Sequence, residues 1–186
     1  APAAGDPIPA EYALHALSAA MGPHDALVEE VPSHRPLMQK AMPMRGQDSF
    51  YTMASGGLGY SLPAAVGMAL GRSTGRTVCL IGDGSAMYSI QALWTAAHHK
   101  LPLSVVIVNN GGYRIIKQRL LAFHGDDNYV GMDFIDPPVD FTALARSLGL
   151  EAIKVTDPQE LKGTLKSAFA RPGAKLIEVV VSNSVN

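Results

Sequence analysis

The sequence predicts an α/β fold: a three-layer, doubly wound parallel sheet of about six strands with helices on both faces. Three observations predict it. The runs Thr77–Ile81 and Leu103–Val108 are almost continuously apolar and rich in β-branched residues, as strands covered on both faces are. Around them, apolar residues recur at the i, i+3, i+4 spacing of a helix face. The two kinds of segment alternate, which calls for crossover connections and therefore parallel strands.

The elements follow in order. Ala1-Pro2-Ala3-Ala4-Gly5-Asp6-Pro7 reads as a linker, assigned to residues 1–8, before a single domain over 9–186. The chain has no initiator Met and no signal-peptide pattern, so the expectation is a cytoplasmic piece of a longer protein. Pro9 opens a helix that presents Ala13, Leu17, Ala20 and Met21 on one face, and Gly22 closes it. Ala26–Val31 reads as a strand. Ser33 is expected to cap a short helix whose Met38 and Met42, with Met44, pack against a partner domain. A helix starting near Pro63 is rich in small residues (Ala64, Ala65, Gly67, Ala69, Gly71) and is expected to be buried. Between the two central strands, Ile90, Leu93, Trp94 and Ala97 form one helix face. Asp140 caps a helix carrying Phe141, Leu144, Ala145 and Leu148, stopped by Gly149. Asp157-Pro158-Gln159-Glu160 combines a cap, Pro at the first helical position and an acid at the third, ahead of Leu161, Leu165, Ala168 and Phe169. A last strand runs from Lys175 to Val181.

Composition excludes several functions. The 186 residues are 47% hydrophobic and 17% charged, with a net charge of -1, which suits a packed domain and not a disordered one. There is no basic excess to bind nucleic acid and no apolar run of the ~20 residues that cross a bilayer. A single cysteine, Cys79, forms no internal disulfide and reads as a small buried hydrophobe. The six histidines lack zinc-site spacing, and no G-x-S-x-G elbow is present.

In doubly wound sheets ligands bind beyond the carboxyl ends of strands, so the residues just after each strand carry the functional information. Two such ends are unusual: Gly82-Asp83-Gly84-Ser85 and Asn109-Asn110-Gly111-Gly112-Tyr113. Asp83 and Asn110 are 27 residues apart, about one crossover, so adjacent strands can bring their oxygens together. A carboxylate, an amide oxygen and backbone carbonyls are hard ligands suited to Mg²⁺ or Ca²⁺. The glycines let backbone N–H groups approach a phosphate, and a helix after Ser85 would aim its positive end there. Taken singly, each motif is an ordinary turn; together, at matching strand ends, they suggest a magnesium-held diphosphate. A third loop, Ala54-Ser55-Gly56-Gly57-Leu58-Gly59-Tyr60, is not a dinucleotide fingerprint, because Leu62 stands where the last glycine is needed. From the residues alone, Leu58 reads as a core plug. Asp126, Asp127 and Asp133 fall in the stretch from His124 to Pro138, which reads as a solvated loop; an ordering role for it on cofactor binding is the functional alternative.

Gly82-Asp83-Gly84, followed after 24 residues by Asn109-Asn110, resembles the thiamin-diphosphate signature of the thiamin-dependent decarboxylase and acetohydroxyacid synthase superfamily. Gly56-Gly57-Leu58-Gly59 with Leu62-Pro63-Ala64-Ala65, and the segments Ile81–Ala86, Tyr88–Ile90 and Ala92–Ala97, resemble the benzoylformate decarboxylases most. The similarity covers nearly the whole chain and corresponds to the C-terminal, diphosphate-binding domain of that family. It implies that Asp83, the Asn110 side chain and the Gly112 carbonyl hold Mg²⁺. It places Gly82, Gly84, Ser85 and Tyr113 against the diphosphate, mainly through backbone groups, together with Ser33. The Gly56 carbonyl would take the 4′-amino group of the aminopyrimidine, and Leu58 would bend the cofactor so that this amino group sits beside the reactive thiazolium carbon. Pro32 stands where relatives often have a second hydroxyl. Ile115 and Ile116 would put apolar bulk near the substrate, or else pack an ordinary helix. The family's activating glutamate lies on another domain, so Glu29 and Glu30, which end a strand, are assigned no role. The implied partners are a small 2-oxo acid, the pyrimidine-binding domain of the same or a neighbouring subunit, and a second copy in a dimer or tetramer. An acetohydroxyacid-synthase-like carboligase, a separate subunit of a two-chain enzyme and a non-catalytic cofactor- or partner-binding domain are the competing expectations.

Overall fold

A computed structural model of the chain describes residues 2–43, 46–125 and 127–184. In order, the elements are α1 (Ala10–Ala20), β1 (Ala26–Glu30), α2 (Arg35–Ala41), β2 (Phe50–Thr52), α3 (Ser61–Gly71), β3 (Thr77–Gly82), α4 (Asp83–Ala86), α5 (Ala92–His98), β4 (Leu103–Asn109), α6 (Arg114–His124), α7 (Phe141–Ser147), β5 (Glu151–Val155), α8 (Pro158–Ala170) and β6 (Lys175–Val180). The six strands form one sheet in the order β2-β1-β3-β4-β6-β5, and every pairing is parallel. This is the three-layer fold that the alternation predicts.

Strand residues alternate between two apolar layers. Leu27, Val78, Leu80, Val106 and Val108 face α1, α2 and α8, whereas Val28, Cys79, Ile81, Val105 and Ile107 face α3, α5 and α7. Burial on both faces is why β3 and β4 read as unbroken apolar runs. The helices obey the right-handed crossover rule. Chain moving toward β2 returns over the first face through α2, and chain moving toward β4 returns over the second through α5.

The expected caps are present. Asp140 accepts the N–H of Ala143 at 2.8 Å and Asp157 accepts that of Gln159 at 2.7 Å. Other expectations need correction. Ile8, assigned to the linker, is fully buried and bridged to Val181. Ser33 does not cap α2, whose N-cap is His34 without a side-chain bond. Met38 and Met42 are buried in this chain's own core beside α1, so neither is spare for a partner; Met44 lies outside the described residues. Trp94 is 55% exposed and stacks on His98, with ring centroids 4.9 Å apart. Leu93 is buried as expected, and Ile90 and Ala97 pack partly against the same core; residues 87–91 are turns, so helical spacing counted from Ile90 fails only at Trp94, and Ala96 is buried in its stead.

These burials give a measurable contrast. Leu80→Ala should cost about 2–5 kcal/mol, because a fully buried side chain leaves a cavity between the sheet and α1. Trp94→Ala, although it removes more atoms, should cost less than about 1 kcal/mol. Urea unfolding of both variants checks the order; equal losses would contradict the layer assignment.

Candidate functional site

Parallel strands gather the loops at their carboxyl ends along one edge of the sheet. β1 passes the chain to β2 on one side and β3 passes it to β4 on the other, so a crevice opens between them. A cavity of roughly 210 Å³ lies there. Ser33 comes to it from the end of β1, and Gly56 and Leu58 from the loop between β2 and α3. Gly82, Asp83, Gly84 and Ser85 come from the β3–α4 junction, and Asn110, Gly112, Tyr113 and Ile115 from the β4–α6 junction. Every residue that the resemblance assigns to the metal or the cofactor therefore lines this one cavity. Its volume is below the ~300 Å³ of ordinary small-molecule pockets. It suits one end of a larger ligand, with the other end covered from elsewhere.

Asp83 is the electrostatic centre. Its side chain is buried, with only 2% of the residue exposed. Oδ2 accepts the N–H of Gly112 at 2.9 Å. Amides of Gly84 and Gly111 also favour its charged form, but burial outweighs them and raises the Asp83 pKa to about 6. At neutral pH it is thus a buried anion held by amide dipoles, and among the described residues no Lys, Arg or His forms an ion pair with it. α4 begins at Asp83 itself, so the expected helix after Ser85 is replaced by a four-residue turn of helix followed by turns.

Asn110 is buried, and its Nδ2 lies 3.4 Å from Nε2 of His34. Burial, with help from Arg114, lowers the His34 pKa to about 4, so the ring is neutral at pH 7 and can accept from the amide. The Gly112 carbonyl accepts from Arg114 N at 3.0 Å, which leaves its second lone pair free. A carboxylate, an amide and a carbonyl at one spot make a hard oxygen set. With an unpaired buried anion at its centre, the set fits a divalent cation.

The phosphate-facing groups differ in part from expectation. The Tyr113 N–H is taken by the Met132 carbonyl at 2.9 Å, so that amide is not free for an anion in this state. Gly84 supplies room: a Cβ there would meet the Tyr113 ring at 2.7 Å. The Ser33 hydroxyl accepts from Ile115 N at 3.1 Å, joining β1 to α6 and keeping its own proton to donate. Leu58 is half-buried on the cavity wall and not a core plug.

Asp133 is exposed, as expected of a solvated stretch, but it is tethered. Its segment runs antiparallel to Gly112, Phe134 N donates to the Gly111 carbonyl at 2.8 Å, and Lys117 pairs with the Asp133 carboxylate. Phe134 packs edge-on against Tyr113, with centroids 4.7 Å apart. The stretch thus braces the Asn110–Tyr113 loop; Asp126 lies outside the described residues. Two further supports escape sequence reading. Glu178, fully buried on β6, accepts Asn109 Nδ2 at 2.8 Å, and Asn109 Oδ1 accepts the Gly111 N–H at 2.9 Å. Glu30 is the second. In both cases the signal is an acid in a strand, Glu178 within β6 and Glu30 at the end of β1.

Comparisons with known proteins agree with this geometry. Residues 30–179 match the family described as thiamine pyrophosphate enzyme, C-terminal TPP binding domain. The chain is 38% identical over 176 residues to a benzoylformate decarboxylase of Pseudomonas aeruginosa, covering 94% of this chain and 33% of that protein. It is 37% identical over 131 residues to an acetolactate synthase large subunit of Parasynechococcus marenigrum, covering 70% of this chain and 21% of that protein. The crystal structure of benzoylformate decarboxylase from Polynucleobacter necessarius superposes with a TM-score of 0.90 and 35% identity, over 97% of this chain and 34% of that one. The chain thus spans about a third or less of the length of these proteins. Among the described residues, no helix is long and apolar enough to cross a membrane.

The buried Asp83 carboxylate gives a pH signature in metal-free protein. Its pKa is about 6 when folded and near 3.8 when unfolded. Below pH 3.8 both states are protonated and it has no effect. Between these values only the folded state keeps the proton, so stability falls as pH rises, and above pH 6 the cost is complete. Asp83→Asn, which can still accept from Gly112, should therefore be about as stable as wild type near pH 4 and more stable by about 2–3 kcal/mol at pH 7. Urea unfolding across that range checks it; a difference independent of pH would contradict the reading.

Proposed function

Because the chain belongs to the thiamine pyrophosphate enzymes, as a C-terminal TPP-binding domain, we propose that it grips the Mg²⁺–diphosphate head of thiamin diphosphate for the non-oxidative decarboxylation or carboligation of a 2-oxo acid. The observation that carries this reading is the Asp83 carboxylate, buried with no ion-pair partner among the described residues, in the same cavity as Asn110 and Gly112. Those three groups would hold the cation. Bound Mg²⁺ would offset the cost of burying Asp83 and leave further positions for phosphate oxygens and water. The Ser33 hydroxyl, with Ser85 and the glycine-bordered backbone of Gly82 and Gly84, would face the diphosphate. The Gly56 carbonyl would accept from the aminopyrimidine, and Leu58 would wedge the two rings. When bound, the cofactor supplies an electrophilic thiazolium that serves as electron sink for loss of CO₂.

Ile115 and Ile116 both line the cavity and favour an apolar substituent on the substrate. A benzoylformate-decarboxylase-like activity is supported by 38% identity over 94% of this chain to such an enzyme, against 28% identity over 96% to an acetolactate synthase isozyme 1 large subunit. The residues assigned here bind and bend the cofactor; the group that activates its pyrimidine would come from a pyrimidine-binding domain of the same or a neighbouring subunit. A cytoplasmic dimer or tetramer completes the reading, with residues 9–186 as one domain of the enzyme.

Isothermal titration tests it. Thiamin diphosphate should bind in the presence of Mg²⁺, and Asp83→Ala and Asn110→Ala should each weaken that binding by at least about tenfold. Equal binding with Mg²⁺ chelated, or undiminished binding in both variants, would refute the assigned cation site.

A further inference from the structure

Glu30 closes β1 with a fully buried carboxylate. It leaves the sheet on the face of Val28, toward α3, and does not line the cavity. Its Oε1 accepts the N–H of Gly59 at 2.7 Å and its Oε2 accepts the N–H of Ser61 at 2.8 Å. Among the described residues no Lys, Arg or His forms an ion pair with it. Two backbone amides are the visible compensation for burying this acid, an arrangement costly enough to call for a purpose beyond filling space.

Those amides end one particular loop. Ala54, Ser55, Gly56 and Gly57 are exposed, and nothing lies within 4 Å of where a Gly56 side chain would begin. Gly59 takes φ +95°, which returns the chain to Ser61, the first residue of α3. Gly56 and Leu58 are therefore carried on a glycine-rich span held at its amino end by β2, where Thr52 bonds Glu29 and Met53 is buried, and at its carboxyl end by Glu30. We propose that Glu30 is a positioning residue: its two-oxygen clamp on Gly59 and Ser61 sets where Gly56 and Leu58 stand over the cavity, without Glu30 touching the ligand. The inference rests on the cofactor reading above, in which those two residues meet the aminopyrimidine end while Asp83 and Asn110 hold the diphosphate end.

A carboxylate is required because both of its oxygens accept. In Glu30→Gln one end becomes an NH₂ group that faces an amide N–H, so one of the two bonds is lost with little change in volume. The test compares two probes on the full chain with Mg²⁺: inorganic pyrophosphate, which reports the diphosphate end alone, and thiamin diphosphate, which also needs the loop. Amide hydrogen exchange at Gly57, Gly59 and Ser61 is followed in parallel. In wild type, Gly59 and Ser61 should exchange far more slowly than Gly57. In Glu30→Gln, protection at one or both should collapse, pyrophosphate affinity should stay within about twofold, and thiamin diphosphate should weaken by about tenfold or more. Equal losses for both probes would show a merely structural role and overturn the proposal, as would unchanged thiamin diphosphate binding. Gly59 exchanging as fast as Gly57 in wild type would overturn it without any variant. If wild type binds neither probe while the exchange pattern is as predicted, the clamp stands as a structural fact and the cofactor reading fails.

Discussion

Two neighbouring parallel strands that send their chains in opposite directions leave a gap that no crossover covers, and in this protein that gap lies between β1 and β3. The right-handed rule forces the two connections onto opposite faces of the sheet, α2 on one and α5 on the other. The ends of β1, β3 and β4 then stand side by side with their backbone groups facing open space. The other parts of the site follow from this arrangement. Glycines at 84 and 112 let the turns crowd together, and one carboxylate, Asp83, lies beside them.

Burying Asp83 is what would give the site its affinity for a cation. The amides of Gly84, Gly111 and Gly112 give it partial compensation, but burial still dominates. At neutral pH, where Asp83 is not protonated, a bound cation would settle that charge without moving the backbone. The supports lie one layer further out. Glu178 orients Asn109, Asn109 holds Gly111, and the segment around Asp133 and Phe134 closes on Gly112 and Tyr113 from the other side. The metal-facing half is thus braced from β6 and α6. The half carrying Gly56 and Leu58 hangs from β1 through Glu30. A domain holding one side of a ligand and leaving the other open is consistent with a chain that spans about a third of its relatives.

Much of this was legible in the sequence, for definite physical reasons. β3 and β4 are central, so both faces are apolar and the pattern is strong. Asp140 and Asp157 stand at helix starts where a side-chain oxygen satisfies an otherwise free amide. Asp83 and Asn110 follow strand ends at the spacing of one crossover. What was not legible is tertiary. β2 has three residues at the sheet edge, and β5, at the other edge, alternates exposed and buried positions with Lys154 among them. Trp94 defeats helical counting because the helix starts two residues later than Ile90. Ser33 resembles a cap, but its oxygen serves α6, which is remote in sequence. Glu30 and Glu178 carry no local motif; only the placement of their partners shows what an acid does in a strand.

The most direct test of the central claim is diffraction from crystals of this chain soaked in thiamin diphosphate and MgCl₂. The account predicts a cation about 2.0–2.1 Å from oxygens of Asp83, Asn110 and Gly112, completed by diphosphate oxygens and water, with the pyrimidine end lying toward Gly56 and Leu58. A diphosphate bound elsewhere, or density in this cavity with Asp83 still bonded only to backbone amides, would contradict it.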